Sequence, residues 1–155
     1  MTSYADCYHQ GVRVPDLAAA MAELGESLGV TWCQVQEREQ SVWLPDVGLT
    51  AVALRFTYSG GTGQHVELLE GAPGSIWDGR EQPGVHHVGL WSDDVRRDTK
   101  ACVERGWTLR AAQRLPEEGY GAFTYVQPPS GLIVEFVTTA ARPMFERWFA
   151  GGPLA

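Results

Sequence analysis

Four residues of this chain, His9, Glu67, His87 and Glu135, carry side chains suited to holding a divalent metal ion. Two imidazoles and two carboxylates are donors that divalent Zn, Ni, Co, Mn and Fe all accept, with positions left open for water or substrate. An ion so held can polarise a carbonyl or enolate oxygen as a Lewis acid. A carboxylate of the set can swing off the ion and move a proton on the substrate. Singly, none of the four is decisive. A histidine at a strand start is commonly a surface or hydrogen-bonded residue, and His86 competes with His87. The glutamates are harder to set aside. VELLE and LIVEFV place Glu67 and Glu135 among apolar neighbours, where an unpaired carboxylate is costly.

An internal repeat joins the four. HQGVRVPDL (residues 9–17) and HVGLWSDDV (residues 87–95) share the pattern His-x-Gly-apolar-x-x-x-Asp-apolar. Further along each half, VEL (residues 66–68) matches VEF (residues 134–136) in an otherwise apolar strand. In both halves a histidine opens the first strand and a glutamate interrupts the last. Two modules related by a pseudo-twofold axis would bring four such side chains together. The repeat also selects between neighbours. His86 and His87 point to opposite faces of a strand, and only His87 has the His-x-Gly spacing of His9. His65 shares a face with Glu67 and is expected to line the pocket, not to ligate.

The elements that position these residues can be read from periodicity. Residues 8–14 form a short strand ending at Pro15-Asp16. Asp16 can cap a helix, LAAAMAELGESLG, with Leu17, Ala20, Met21, Leu24 and Leu28 at helical spacing and Gly29 as its stop. Strands are expected over residues 31–36, 50–58 and 64–69. The second half repeats the order: a strand over 85–91 and a helix opened by Asp93 and Asp94. Val95, Thr99, Cys102 and Val103 face inward on that helix, and Gly106 ends it. Strands over 107–114, 122–127 and 132–137 follow. Met144, Phe145, Trp148 and Phe149 share one face of a C-terminal helix spanning about residues 141–150.

Composition narrows the classes. The 155 residues suit one compact domain. A net charge of −7 and a pI near 5.0 disfavour nucleic acid as a partner. No apolar run approaches the roughly 20 residues that span a bilayer, and MTSYADCYHQ has neither the basic nor the apolar region of a signal peptide. Three scattered cysteines, Cys7, Cys33 and Cys102, suit a reduced cytoplasmic protein better than a disulfide framework.

The motifs HQGVRVPDL, HVELLEG, GVHHVGLWSDDV and PPSGLIVEF, in that order, give the chain a family resemblance. Over about residues 5–140 it resembles the vicinal oxygen chelate superfamily, also called the glyoxalase/bleomycin-resistance/dioxygenase fold. The closer likeness is to its methylmalonyl-CoA epimerase-like or glyoxalase-4-like branch. The resemblance implies an α+β fold in which two βαβββ modules pair into a curved, partly closed mixed sheet with helices outside. The modules would cover about 5–72 and 84–140 of a single domain, 1–155. One divalent ion, of unspecified identity, would be held by His9, Glu67, His87 and Glu135. A homodimer acting on a small molecule is implied as well.

The expected activity is that of an isomerase, epimerase or lyase acting on a carbonyl or thioester through an enolate-type intermediate. Glu135, or Glu67 opposite it, would serve as the catalytic proton carrier. Epimerases of the family carry a second carboxylate base before the third strand, for which Asp46 is only a loose match. Two alternatives remain: a metal-free natural-product-binding protein of the resistance type, and an Fe(II)-dependent ring-cleaving dioxygenase. Six tryptophans suggest an aromatic pocket. His65, Trp77, Trp91, Tyr120 and Phe123 are its expected substrate-binding residues, with Trp43 and Tyr125 as further candidates.

Overall fold

The computed structural model describes residues 2–155. Its elements are β1 (Cys7–Arg13), α1 (Leu17–Leu28), β2 (Gln36–Leu44), β3 (Gly48–Tyr58) and β4 (His65–Gly71), then β5 (Gly84–Ser92), α2 (Val95–Glu104), β6 (Thr108–Ala112), β7 (Phe123–Gln127), β8 (Val134–Thr138) and α3 (Arg142–Phe149). The class is mixed α+β, and the order strand, helix, three strands occurs twice, as the repeat requires. Contacts group the chain into two interleaved units. One, here the His9 unit, holds His9–Gln40, Val52–His86 and Pro143–Ala155; the other, the His87 unit, holds Ser41–Ala51, His87–Arg142 and the residues up to Tyr8. Among the described residues no helix is long and apolar enough to cross a membrane.

In the His9 unit, β1 runs parallel to β4 and β4 antiparallel to β3. Asp16 caps α1 by accepting from the Ala19 amide at 2.9 Å, leaving one fewer bare N–H in the first turn. Gly29 ends the helix in the left-handed conformation, φ 67°, which costs glycine nothing. The apolar stripe of α1 covers the outer face of β4, where Leu17 and Leu68 are both fully buried with Val14 beside them. A Glu70 carboxylate oxygen accepts from the Leu17 amide at 2.6 Å and fixes the entry of the helix. Across β3, Trp148 of α3 stands edge-on to Phe56 and Tyr58, at ring distances of 5.9 and 5.5 Å.

The His87 unit repeats this plan. β5 runs parallel to β8, β8 antiparallel to β7, and β7 antiparallel to β6, which meets β2 at Ala112 and Trp43. Asp94 caps α2 through the Arg97 amide at 2.9 Å. Val95 and Cys102 of α2 pack with Val88, Leu90, Val126, Val134 and Phe136. A Thr99–Thr124 hydroxyl contact of 2.8 Å pins the helix to β7.

Two expectations need correction. No regular strand covers residues 31–35. Trp32 makes one isolated bridge to Ser59, and the regular strand starts at Gln36. The charged stretch EREQ opens that strand on an exposed surface, so it lacks the apolar alternation that reveals half-buried strands. On α2, Val103 is 43% exposed and Asp98 is fully buried in its stead. Asp98 can be buried because Ser92 Oγ (2.6 Å), Arg97 Nε (3.2 Å) and the Thr2 hydroxyl all donate to it.

Burial alone would raise the Asp98 carboxyl, but the hydrogen bonds from Ser92, Thr2 and Arg97 outweigh it and hold it below its ordinary value. A folded value below the unfolded one, about 3.9, stabilises the fold fully above that pH. The contribution is lost as pH falls through the folded value. Asp98→Asn is expected to lower stability by about 2 kcal/mol at neutral pH. In urea unfolding followed by tryptophan fluorescence, the gap from the parent should narrow below about pH 4.

Candidate metal centre

The His9 unit brings one imidazole to one carboxylate. β1 and β4 pair in the register His9 to His65 and Gly11 to Glu67. Side chains alternate along a strand, so His9, Gly11, His65 and Glu67 share a face. Gly11 is buried directly beside Glu67 and places no side chain next to the carboxylate. Glu67 Oε1 then lies 3.4 Å from His9 Nε2. His9 is fully buried and Glu67 is 8% exposed.

The His87 unit builds the same arrangement. Gly89 pairs with Glu135 in the β5–β8 register, and Glu135 Oε1 lies 3.4 Å from His87 Nε2. His87 is fully buried and Glu135 is 8% exposed, while His86 is half-buried on the other face of β5. Each pair therefore offers one imidazole nitrogen and one carboxylate oxygen, which fits a divalent first-row ion. A buried carboxylate also fits such an ion better than an apolar core.

The other anticipated residues are placed as follows. His65 is buried, with Nδ1 2.7 Å from the Ser59 carbonyl and its ring stacked on Phe149 at 3.8 Å. Burial, with the nearby His9 acting in the same direction, lowers its pKa against the opposing Ser59 hydrogen bond. Trp77 is buried in the loop after β4, close against Gly71, whose amide donates to the Trp77 carbonyl at 3.1 Å. Trp91 stacks on Tyr8 at 3.8 Å with the Arg142 guanidinium 5.8 Å above it. Tyr120 is buried in a loop at φ 72°, the one non-glycine residue with positive φ among those described. Phe123 lies 5.7 Å from Tyr125, whose ring is 4.8 Å from that of His87. Asp46 is exposed in the β2–β3 turn.

Two residues beside the His9 pair escaped the sequence reading. The Tyr58 hydroxyl lies 3.5 Å from His9 Nε2. The Arg38 guanidinium sits 4.8 Å above the Phe56 ring. The residue keeps exposed surface, yet partial desolvation lowers its pKa, against the opposing influence of Glu67 and Tyr58. Neither belongs to the repeated motifs, and Tyr58 is placed there by the β3–β4 register, which pairs it with Glu67.

Comparison with known proteins gives a consistent picture. The family model of the Glyoxalase/Bleomycin resistance protein/Dioxygenase superfamily matches residues 8–125. No curated protein matches the chain in sequence. Among solved structures, a Streptomyces coelicolor methylmalonyl-CoA epimerase variant in complex with 2-nitronate-propionyl-CoA aligns at 20% identity. The alignment covers 88% of this chain and 95% of that one, with a TM-score of 0.60. The methylmalonyl-CoA epimerase of Mycobacterium tuberculosis aligns at 16% identity over 86% and 87% of the two chains, with a TM-score of 0.55. At these identities the likeness is one of fold.

The two glycines are the simplest handles on the pairs. Gly11 and Gly89 stand in register with Glu67 and Glu135, so a methyl group added there lies on the face that carries the carboxylate. Gly11→Ala and Gly89→Ala are each expected to weaken Co(II) or Zn(II) uptake about tenfold or more, measured by competition with a chromophoric chelator.

Proposed function

The chain belongs to the Glyoxalase/Bleomycin resistance protein/Dioxygenase superfamily, and on that premise we propose that it is a divalent-metal-dependent isomerase or epimerase. Its reaction would move a proton on the carbon next to a carbonyl or thioester, with lyase chemistry as a close variant. His9, Glu67, His87 and Glu135 would together hold the ion. All four are buried, and their donor types could hold one. The observation that carries this reading is the recurrence, at equivalent register, of a buried Nε2-to-carboxylate approach of 3.4 Å in both repeats.

When bound, the ion would supply Lewis acidity that stabilises negative charge on the substrate's carbonyl oxygen. The protein's own groups do the rest. Glu135, or Glu67 of the other pair, takes the proton from the carbon and returns it. Both carboxylates are 8% exposed and so are largely shielded from bulk water. The Asp46 carboxylate is exposed in a turn and is given no role. The resemblance to enzymes named for methylmalonyl-CoA makes an acyl-CoA thioester the first substrate class to try.

The test is hydrogen exchange. Metal-loaded protein in deuterium oxide is expected to exchange the α-hydrogen of methylmalonyl-CoA or another acyl-CoA, read by mass spectrometry. Glu135→Ala should slow exchange by roughly a hundredfold or more. Protein that takes up no ion, or shows no exchange across a thioester panel with Ni, Co, Zn, Mn or Fe(II), contradicts the proposal. Oxygen uptake with Fe(II) would instead mark ring-cleaving chemistry.

A further inference from the structure

We propose that Arg38 is a substrate-binding residue that pairs with an anionic group, a carboxylate or a phosphate, carried by the carbonyl compound bound at the metal centre. The inference deepens the reading of His9, Glu67, His87 and Glu135 as that centre and rests on it. The geometry it uses lies wholly within the His9 unit. In the β3–β4 ladder Tyr58 pairs with Glu67 and Phe56 with Leu69, so Phe56 shares the face of Tyr58 and Glu67. The Arg38 guanidinium lies 4.8 Å above the Phe56 ring and therefore stands on the face that carries the glutamate. It is near enough to feel the Glu67 charge. Arg38 keeps exposed surface, so an incoming molecule can reach it.

Other arginines of this unit are occupied. Arg13 donates to the Ile76 carbonyl and the Gln82 side chain, Arg55 to Glu37, and Arg80 to Asp78 and the Gly71 carbonyl. Among the described residues the Arg38 guanidinium donates no hydrogen bond and has no ion pair. Its neighbours Glu37 and Glu39 turn to the other face of β2 by alternation, and Glu37 is taken by Arg55 at 2.8 Å. Stacking engages the flat face of a guanidinium and leaves its in-plane N–H donors for a planar anion. A second donor borders the same ring. Trp148 stands edge-on to Phe56 at 5.9 Å, is fully buried, and its indole N–H has no acceptor among the described residues. Buried donors are rarely left so. The surroundings of Phe56 thus hold more donors than the protein supplies acceptors for.

Charge points the same way. A divalent ion held by two carboxylates is neutralised by its own ligands. Its open position can meet the charge that builds on the substrate's carbonyl oxygen. A second, fixed anion on the substrate needs a cation of its own once it leaves water. Arg38 supplies that cation without being a ligand.

Arg38→Gln removes the charge and the fork, at an exposed position where the fold tolerates the change. The probes are Co(II), followed by its visible absorption, and a matched set of alkyl hydroxamates titrated into the Co(II) protein. The set ends in a methyl group, a carboxylate or a phosphonate, each in several chain lengths. The parent is expected to bind a carboxylate- or phosphonate-ended probe about tenfold or more tightly than its methyl-ended match, and the better of the two names the anion. In Arg38→Gln that preference should vanish, with Co(II) affinity and methyl-ended binding as in the parent. No preference in the parent at any length, or one that survives in Arg38→Gln, overturns the assignment and leaves the metal reading standing. An equal loss for every probe in the variant also overturns it, because Arg38 would then act on the centre and not on the anion. Failure of the parent itself to bind Co(II) removes the metal reading and this inference with it.

Discussion

A carboxylate inside an apolar strand has to be met by a cation, a metal or a hydrogen-bond donor, because a bare charge in a low-dielectric interior costs several kcal/mol. Glu67 and Glu135 are both in this position, each 8% exposed and each with a histidine Nε2 at 3.4 Å. Much of the surrounding structure serves that requirement. Parallel pairing of β1 with β4, and of β5 with β8, puts imidazole and carboxylate on one face. A shift of one residue in either ladder would turn the glutamate to the opposite face.

The nine-residue repeat has a physical content that its pattern alone does not display. Its histidine supplies the donor. Its glycine, Gly11 or Gly89, sits in register with the glutamate and puts no side chain beside it. Its aspartate, Asp16 or Asp94, caps the helix that covers the sheet. One motif therefore encodes a ligand, the space beside its partner and the start of the next element. The glutamate comes from a strand much later in each half, brought beside the histidine by the parallel β1–β4 and β5–β8 pairings.

The order of elements was legible in the sequence because two periodicities alternate cleanly, and the caps at Asp16, Gly29 and Asp94 were visible for the same reason. The strand at Gln36–Leu44 was missed, since a strand opening with exposed charged residues has no apolar alternation to read. Asp98 inside α2 broke the rule that charged residues face water; Ser92 and Arg97, which help to permit it, are near in sequence, but the Thr2 hydroxyl that also donates comes from the far N-terminal segment. In the site, His9, Glu67, His87 and Glu135 could be named because they recur. Tyr58 could not, because its relation to Glu67 exists only once β3 and β4 are aligned. The aromatic residues proposed from composition carried no register information; Trp91 stacks on Tyr8 and Trp77 lies against Gly71.

A single divalent ion sharing both His–Glu pairs is the central claim, and X-ray absorption of the Co(II)-loaded protein addresses it most directly. The expected spectrum shows nitrogen and oxygen neighbours with the outer-shell scattering of two imidazoles, reduced to one in His9→Ala and likewise in His87→Ala. A spectrum unaltered by both substitutions, or one with a sulfur neighbour near 2.3 Å, would contradict it.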